Sequence, residues 1–347
     1  MGFSMTVEGF DNILNDLRKE YKIYAPVVWE GKGRYSDTDI VGYSEIESIK
    51  DIVFDIKSDY SPKEVLVPIT QTTLYFTEDK TMEPEEDDKK ILIFLRACDI
   101  NGLKRFDDIY LINGAVDNYY KRLREKTKYV LMECGESSRN CFCVSMGTNT
   151  TEEYDLFVKP EEDKILIECK DTDLKKYFDV KENAQVTPKF VEENDVKINI
   201  PEDLDIRVFG STLWGEYSKR CIACGRCIFV CVTCTCFTTQ DIFYKDNPKS
   251  GERRRVWAAC HVDGYTDMAG GHRFREDKGD RMRFKMMHKV YDFKKRFGHH
   301  MCVGCGRCDD VCPEYISFSN CVNHLGDAMK EVKKMEAEGK LDLTKVN

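Results

Sequence analysis

The chain has 347 residues, 41% of them hydrophobic and 33% charged, with a formal net charge of −9. That length has room for two domains and a sizeable core, and the acidic balance excludes wholesale nucleic-acid binding. The segment MGFSMTVEGFDNILNDL has no basic region followed by an apolar stretch, and the longest clean apolar run is about ILIFL, so a membrane span is excluded and a cytoplasmic location is expected.

Val7, Phe10, Ile13, Leu14 and Leu17 predict a helix within 7–24, and a second amphipathic stretch spans about 45–57 before Pro62. The acidic segment EDKTMEPEEDDKK (78–90) reads as an exposed loop. The pattern then changes. ILIFL (91–95) is a short continuous apolar run, 101–125 has helical periodicity, and KYVLM (128–132) is a second apolar run, with further strands expected at 154–159 and 164–169. Strand, helix, strand predicts a parallel α/β unit, so residues 1–205 are expected to form an α/β domain. No G-x-G-x-x-G or G-x-x-x-x-G-K-[ST] occurs there, so flavin or nicotinamide binding is expected on a different chain.

The second part, 206–347, is dominated by two cysteine runs. CIACGRCIFVC places Cys221, Cys224, Cys227 and Cys231, and CVGCGRCDDVCP places Cys302, Cys305, Cys308 and Cys312. Each has the C-x2-C-x2-C-x3-C spacing of a cubane iron–sulfur cluster. Three thiolates two residues apart wrap one face of a cubane, and in two-cluster ferredoxins the fourth cysteine of each run ligates the other cluster. The expected sets are Cys221, Cys224, Cys227 with Cys312, and Cys302, Cys305, Cys308 with Cys231. Structural zinc is the alternative for paired cysteines, and a disulfide framework is the alternative in an oxidising compartment. Gly225 and Gly306 fall where a side chain would crowd a loop against an inorganic core. Pro313 follows Cys312 as the motif expects, whereas Val232 follows Cys231.

Seventy residues separate Cys231 from Cys302, more than a compact ferredoxin needs, with helical patterns near 281–297 and again at 325–338. The expected architecture is therefore an α/β N-terminal domain followed by a mostly helical dicluster ferredoxin domain. Residues 241–300 hold fifteen Lys or Arg against nine Asp or Glu, interleaved with aromatics. A solvated helical face or a partner-protein interface explains this better than RNA. His299 and His300 precede Cys302 without a carboxylate partner in sequence, and no residue is assigned a catalytic role.

A second constellation follows the two strands. Cys98 comes just after ILIFLRA and Cys134 just after KYVLME, so parallel neighbours would place both thiols at one sheet edge, where α/β proteins hold ligands. Cys141 and Cys143 lie within the next ten residues. The four are candidates for a third cluster, the alternative being buried thiols packing as small hydrophobes. Cys169 has only the packing reading, and Cys234, Cys236, Cys260 and Cys321 read as packing residues around the clusters.

Several segments together carry a family resemblance: GRYSDTDIVGY (33–43), FLRACDINGL (94–103), CFCVSMGT (141–148), CIACGRCIFVCVTCTCF (221–237), VWAACH, AGGHRFR and CVGCGRCDDVCP. Over nearly its whole length the chain resembles the iron–sulfur electron-transfer chain of anaerobic sulfite reductase and, more broadly, the iron–sulfur β subunit of cytoplasmic sulfhydrogenases. The first resemblance implies an electron-transfer subunit that takes electrons from a partner carrying FAD and oxidising NADH, and passes them to a partner whose siroheme reduces sulfite to sulfide. The second implies the same role beside a NiFe hydrogenase partner. A stand-alone iron–sulfur redox sensor is the third reading.

Overall fold

The computed structural model describes residues 2–35, 37–178 and 182–342. It divides into two compact units, one of Met1–Ser138, Thr148–Glu193 and Phe237–Trp257, the other of Arg139–Gly147, Asn194–Cys236 and Ala258–Asn347. A single boundary near 205 does not separate them, because two short stretches join the unit that the sequence order does not suggest. Residues 139–147 hydrogen-bond to the second cysteine loop, and 237–257 pairs with a strand from the beginning of the chain.

The first unit is built on an eight-stranded mixed sheet. Its strands are β1 (Gly2–Thr6), β2 (Tyr21–Trp29), β3 (Ile40–Glu45), β6 (Lys90–Leu95), β7 (Thr127–Met132), β8 (Leu156–Glu161), β9 (Lys164–Cys169) and β10 (Glu182–Asn183). Their order is β10-β1-β9-β8-β7-β6-β2-β3. The centre is parallel: β6 pairs with β2 on one side and β7 on the other, and β7 pairs with β8. Helix Ala97–Asp107 begins the connection between β6 and β7. The expected strand, helix, strand unit is thus present, and β6 is buried from Ile91 to Leu95, which explains its unbroken apolar run. Phe10, Leu14 and Leu17 of helix Val7–Leu17 join Ile23, Leu92, Val130 and Val158 in the main core.

Two expectations fail locally. The helix expected in 7–24 stops at Leu17, because Tyr21–Trp29, rich in aromatic and β-branched residues, enters the sheet as β2. The stretch 45–57 holds only the 3-10 turn Ile49–Asp51. There the Asp11 carboxylate accepts from Ser48 Oγ at 3.0 Å and Ile49 N at 2.8 Å, while Asp51 accepts from Ser48 N at 3.0 Å. Side chains that satisfy backbone donors in this way compete with a helix.

A second, four-stranded antiparallel sheet joins β4 (Thr70–Phe76) and β5 (Thr81–Met82) to a hairpin of β11 (Phe237–Phe243) and β12 (Gly251–Trp257), in the order β11-β12-β4-β5. The hairpin lies between the two cysteine runs in sequence and was not foreseen. Several of its basic residues are paired: Arg253 with Asp241, Arg254 with Glu252, and the buried Arg255 with Asp117.

Asp171 caps the short helix Thr172–Lys175 by accepting from Leu174 N at 2.9 Å, and it also accepts from Lys128. Burial works to raise its carboxyl, but the Lys128 ammonium and the Leu174 N–H outweigh it and hold Asp171 below the ordinary aspartate range. A depressed folded-state pKa gives stability that is present above the unfolded value and is lost as pH falls through the folded one. The stability gap between the wild type and Asp171→Asn, read from urea midpoints, is therefore expected to be full near neutral pH. It should close below about pH 4; a gap independent of pH would refute the linkage.

In the second unit the described regular elements are helices, principally Trp214–Arg220, Lys278–Met287, Phe293–Phe297, Phe318–Asn323 and Leu325–Ala337. Trp214, Tyr217, Met282, Met286, Val290, Phe318, Leu325 and Met329 form its core, with Cys302 and Cys308 packed against it. Among the described residues no helix is long and apolar enough to cross a membrane.

Candidate metal centre

The two CGRC repeats fold into nearly the same backbone twice. Gly225 has φ 73° and ψ −7° and starts the helical turn Arg226–Phe229, while Gly306 has φ 73° and ψ −6° and starts Arg307–Asp310. Two residues earlier the match repeats, with Ala223 at φ 59° and Gly304 at φ 66°. This left-handed turn aims backbone N–H groups inward: Ala223 N donates to Cys221 Sγ at 3.4 Å and Gly304 N to Cys302 Sγ at 3.5 Å. The fourth cysteines receive further donors. Ile316 N donates to Cys312 Sγ at 3.3 Å, and the Thr233 hydroxyl lies 3.3 Å from Cys231 Sγ.

The cysteines fall into two groups that cross between the runs. Burial, opposed by the Ala223 N–H and reinforced by Cys227, Cys224 and Cys312, pushes the Cys221 thiol up. These four also line one partly open cavity, with Tyr217, His261, Lys285 and Phe318 around them and Cys308 of the second run at its wall. In the second group, burial raises Cys302 to about 12 and raises Cys308 as well, and both thiols are acted on by Cys231 and Cys305. Cys231 itself is held well below the ordinary thiol range, chiefly by a hydrogen bond from Cys234, with burial opposing and Lys289 assisting.

Among the described residues no three Cys, His, Asp or Glu side chains converge on one point to hold a single metal ion. The first group instead rings a space, which suits a cage with an iron at each of several corners. His261 lines the same cavity; it is 3% exposed, its Nδ1 lies 4.0 Å from Cys221 Sγ, and its Nε2 has no hydrogen-bond partner. Burial, then Lys285 and Arg281, lower its pKa to about 3, so it is a neutral ring. A buried histidine with an orphaned nitrogen at the wall of a thiol-lined cavity fits a site built for an inorganic group with acceptor sulfides.

Two buried lysines complete the electrostatics. Lys285 is 4% and Lys289 3% exposed. Burial works against both ammonium groups, yet neighbouring thiols outweigh it and raise both: Cys227, Cys308, Cys234 and Cys231 for Lys285, and Cys231, Cys234 and Cys302 for Lys289. Buried charge is stable where opposite charge faces it.

The four cysteines considered for a third cluster are divided between the units, Cys98 and Cys134 in the first, Cys141 and Cys143 in the second. The first two keep the expected relation, since Leu95 is opposite Leu131 in the parallel β6–β7 register and each thiol follows three residues later. Cys98 is buried in the first turn of helix Ala97–Asp107, and Cys134 donates to Glu136 O at 3.7 Å. The Asn140–Cys143 segment instead backs the second cysteine loop. Phe142 N donates to Gly304 O at 2.8 Å, Asn140 Nδ2 to Asp310 at 2.6 Å and Cys141 Sγ to Cys305 O at 3.5 Å. Cys143 is buried and donates to Asn194 Oδ1 at 3.6 Å. Cys169 lies in the sheet core and Cys321 in the helical core. Cys234 and Cys236 pack about Ile228, Ala259 and Cys260, with Cys236 drawn down to about 6 by a hydrogen bond from Cys260 and opposed by burial.

The sequence reading missed His261, Lys285 and Lys289. A signal for the lysines existed: Met282, Lys285, Met286, Lys289, Val290 and Phe293 share one helical face, and all are buried. The basic character of 241–300 concealed two residues that belong to the interior.

Residues 220–316 match the family described as a 4Fe-4S dicluster domain, which makes this region an iron–sulfur domain. Along nearly its whole length the chain is also similar to the sulfhydrogenase 2 subunit beta of Pyrococcus furiosus, 27% identical over 343 residues that cover 93% of this chain and 97% of that protein. This relative bears the name of the second resemblance read from the sequence. No solved structure matches the chain.

Proposed function

We propose that this chain is the iron–sulfur electron-transfer subunit of a multi-subunit oxidoreductase of the sulfhydrogenase type. It would carry two cubane clusters in an α-helical ferredoxin arrangement, one on Cys221, Cys224, Cys227 and Cys312, the other on Cys302, Cys305, Cys308 and Cys231. The observation that carries this reading is the repeated loop geometry of the two four-cysteine runs, with Gly225 and Gly306 both at φ 73° and Ala223 and Gly304 both left-handed two residues earlier. The clusters supply reversible one-electron chemistry when bound. The chain's own residues hold the thiolates, donate N–H groups to their sulfurs, and set positive charge beside them; the N–H donors and the positive charge favour the reduced state. FAD belongs to a partner in this reading, and substrate is converted on a different chain. The full-length similarity to a sulfhydrogenase β subunit supports a hydrogenase-type partner. The SDTD segment and its neighbours keep a siroheme sulfite-reducing partner as the second reading.

Anaerobic affinity purification from the native cell extract tests both levels. About eight irons per chain are expected, with flavin and nickel in the co-purifying complex. Siroheme in place of nickel would transfer the chain to the sulfite reductase reading, and a lone chain without partners would overturn its place in a complex.

A further inference from the structure

Lys289 holds two cysteines of the second group at once. It lies in a π-helical turn, His288–Asp292, and such turns free backbone carbonyls from the regular helical ladder. Its carbonyl accepts from Met301 N at 2.9 Å and from Cys302 N at 3.4 Å, which fixes the start of the second cysteine loop. Its ammonium donates to Thr233 Oγ1 at 2.7 Å, and that oxygen lies 3.3 Å from Cys231 Sγ. Thr233 is 1% exposed. A hydroxyl that accepts from lysine keeps its own hydrogen for another acceptor, and the Cys231 sulfur is in position to take it.

We propose that Lys289, acting through Thr233 on Cys231, raises the reduction potential of the cluster on Cys302, Cys305, Cys308 and Cys231 without comparable effect on the other cluster. This inference rests on the ligand sets assigned above. A cubane held by four thiolates becomes more negative on reduction, so a fixed cation in a medium of low dielectric stabilises the reduced form. The charge is also polarised toward the cluster along a hydrogen-bonded chain. Selectivity comes from placement. Lys289 reaches Cys231 through Thr233 and holds the start of the second loop through its carbonyl, whereas Lys285, one turn earlier, lines the cavity that Cys221, Cys224, Cys227 and Cys312 share with Cys308. Lys289 is thus a positioning and potential-setting residue, and Lys285 is shared between the clusters.

The test is an EPR-monitored redox titration of the full-length chain purified with its clusters, comparing wild type, Lys289→Met and Lys289→Arg. The signal missing from Cys305→Ser identifies the second cluster. In Lys289→Met its reduced-to-oxidised ratio at fixed potential is expected to fall about tenfold, a 59 mV drop for a one-electron couple. The other cluster should hold its midpoint, and arginine should restore most of the change. Equal shifts in both clusters, or none, would overturn the proposal. If Lys289→Met takes up no iron, Thr233→Val decides: a smaller fall confined to the same cluster supports the relay, and an unchanged midpoint refutes it. A wild-type chain that binds fewer than about eight irons would instead remove the ligand assignment.

Discussion

Cys305→Ser is expected to remove about half of the bound iron and to reduce electron transfer through the complex by more than the roughly 10–100-fold that changes outside the ligand shell produce. Cys305 is 7% exposed and sits at the centre of the second loop, between Gly304 and Gly306, with its carbonyl held by the Cys141 thiol. A serine hydroxyl is a harder, more weakly ionised ligand than a thiolate, so it holds iron far less well. Because metal binding contributes to folding, part of the loss should appear as reduced stability of the second unit. Reduction of the flavin by its own donor should survive, since the proposed flavin site lies on another chain. Iron content and EPR spin count provide the readouts, and a variant retaining two full clusters would exclude Cys305 as a ligand.

The second large effect is expected at Gly304. Its φ is 66°, and a Cβ placed there would lie 2.6 Å from the carbonyl carbon and oxygen of Phe142. Those atoms belong to the backbone of the segment that hydrogen-bonds to the same loop, so they cannot move aside as the end of a flexible side chain could. The left-handed conformation costs an L-residue about 1–2 kcal/mol and overpacking about 1–3 kcal/mol. Gly304→Ala should therefore destabilise the holoprotein by about 2–5 kcal/mol, read from its denaturation midpoint under anaerobic conditions. The equivalent position in the first loop provides the control. Ala223 already has φ 59°, so Ala223→Gly relieves strain while giving the unfolded chain more freedom, and its net change should stay within about 1 kcal/mol. If the two substitutions destabilise equally, the asymmetry between the loops is not set by the Phe142 contact.

Legibility in the sequence followed the range of the interactions. The strands β6 and β7 were readable because their apolar runs are local and buried on both faces, and β8 and β9 because each carries a short local apolar run, buried at the start of β8 and alternating in β9. The β11–β12 hairpin was not, because its partner β4 lies 175 to 186 residues away along the chain, from Gly251 opposite Phe76 to Val256 opposite Thr70, and its polar, arginine-rich face resembles a surface loop. At the site, the eight cysteines announced themselves by spacing and the Gly225 and Gly306 turns by their residue type. Cys141 and Cys143 were visible as thiols, yet their place in the second unit depends on backbone hydrogen bonds from Phe142 to Gly304, which leave no residue-type signature. His261 was hidden for a similar reason: a lone histidine beside Cys260 becomes informative only once its ring is seen at the cavity wall with a buried, unpaired Nε2.

The chain passes between the two units five times, since each unit is assembled from three separate stretches. A fragment cut to the recognisable span 220–316 would carry every proposed cluster ligand and still lack Asn140–Cys143, the strip against which Gly304 and Gly306 close. Excised at those bounds, the second loop would expose the face that Asn140–Cys143 covers, so the cysteine span is shorter than the unit that supports it.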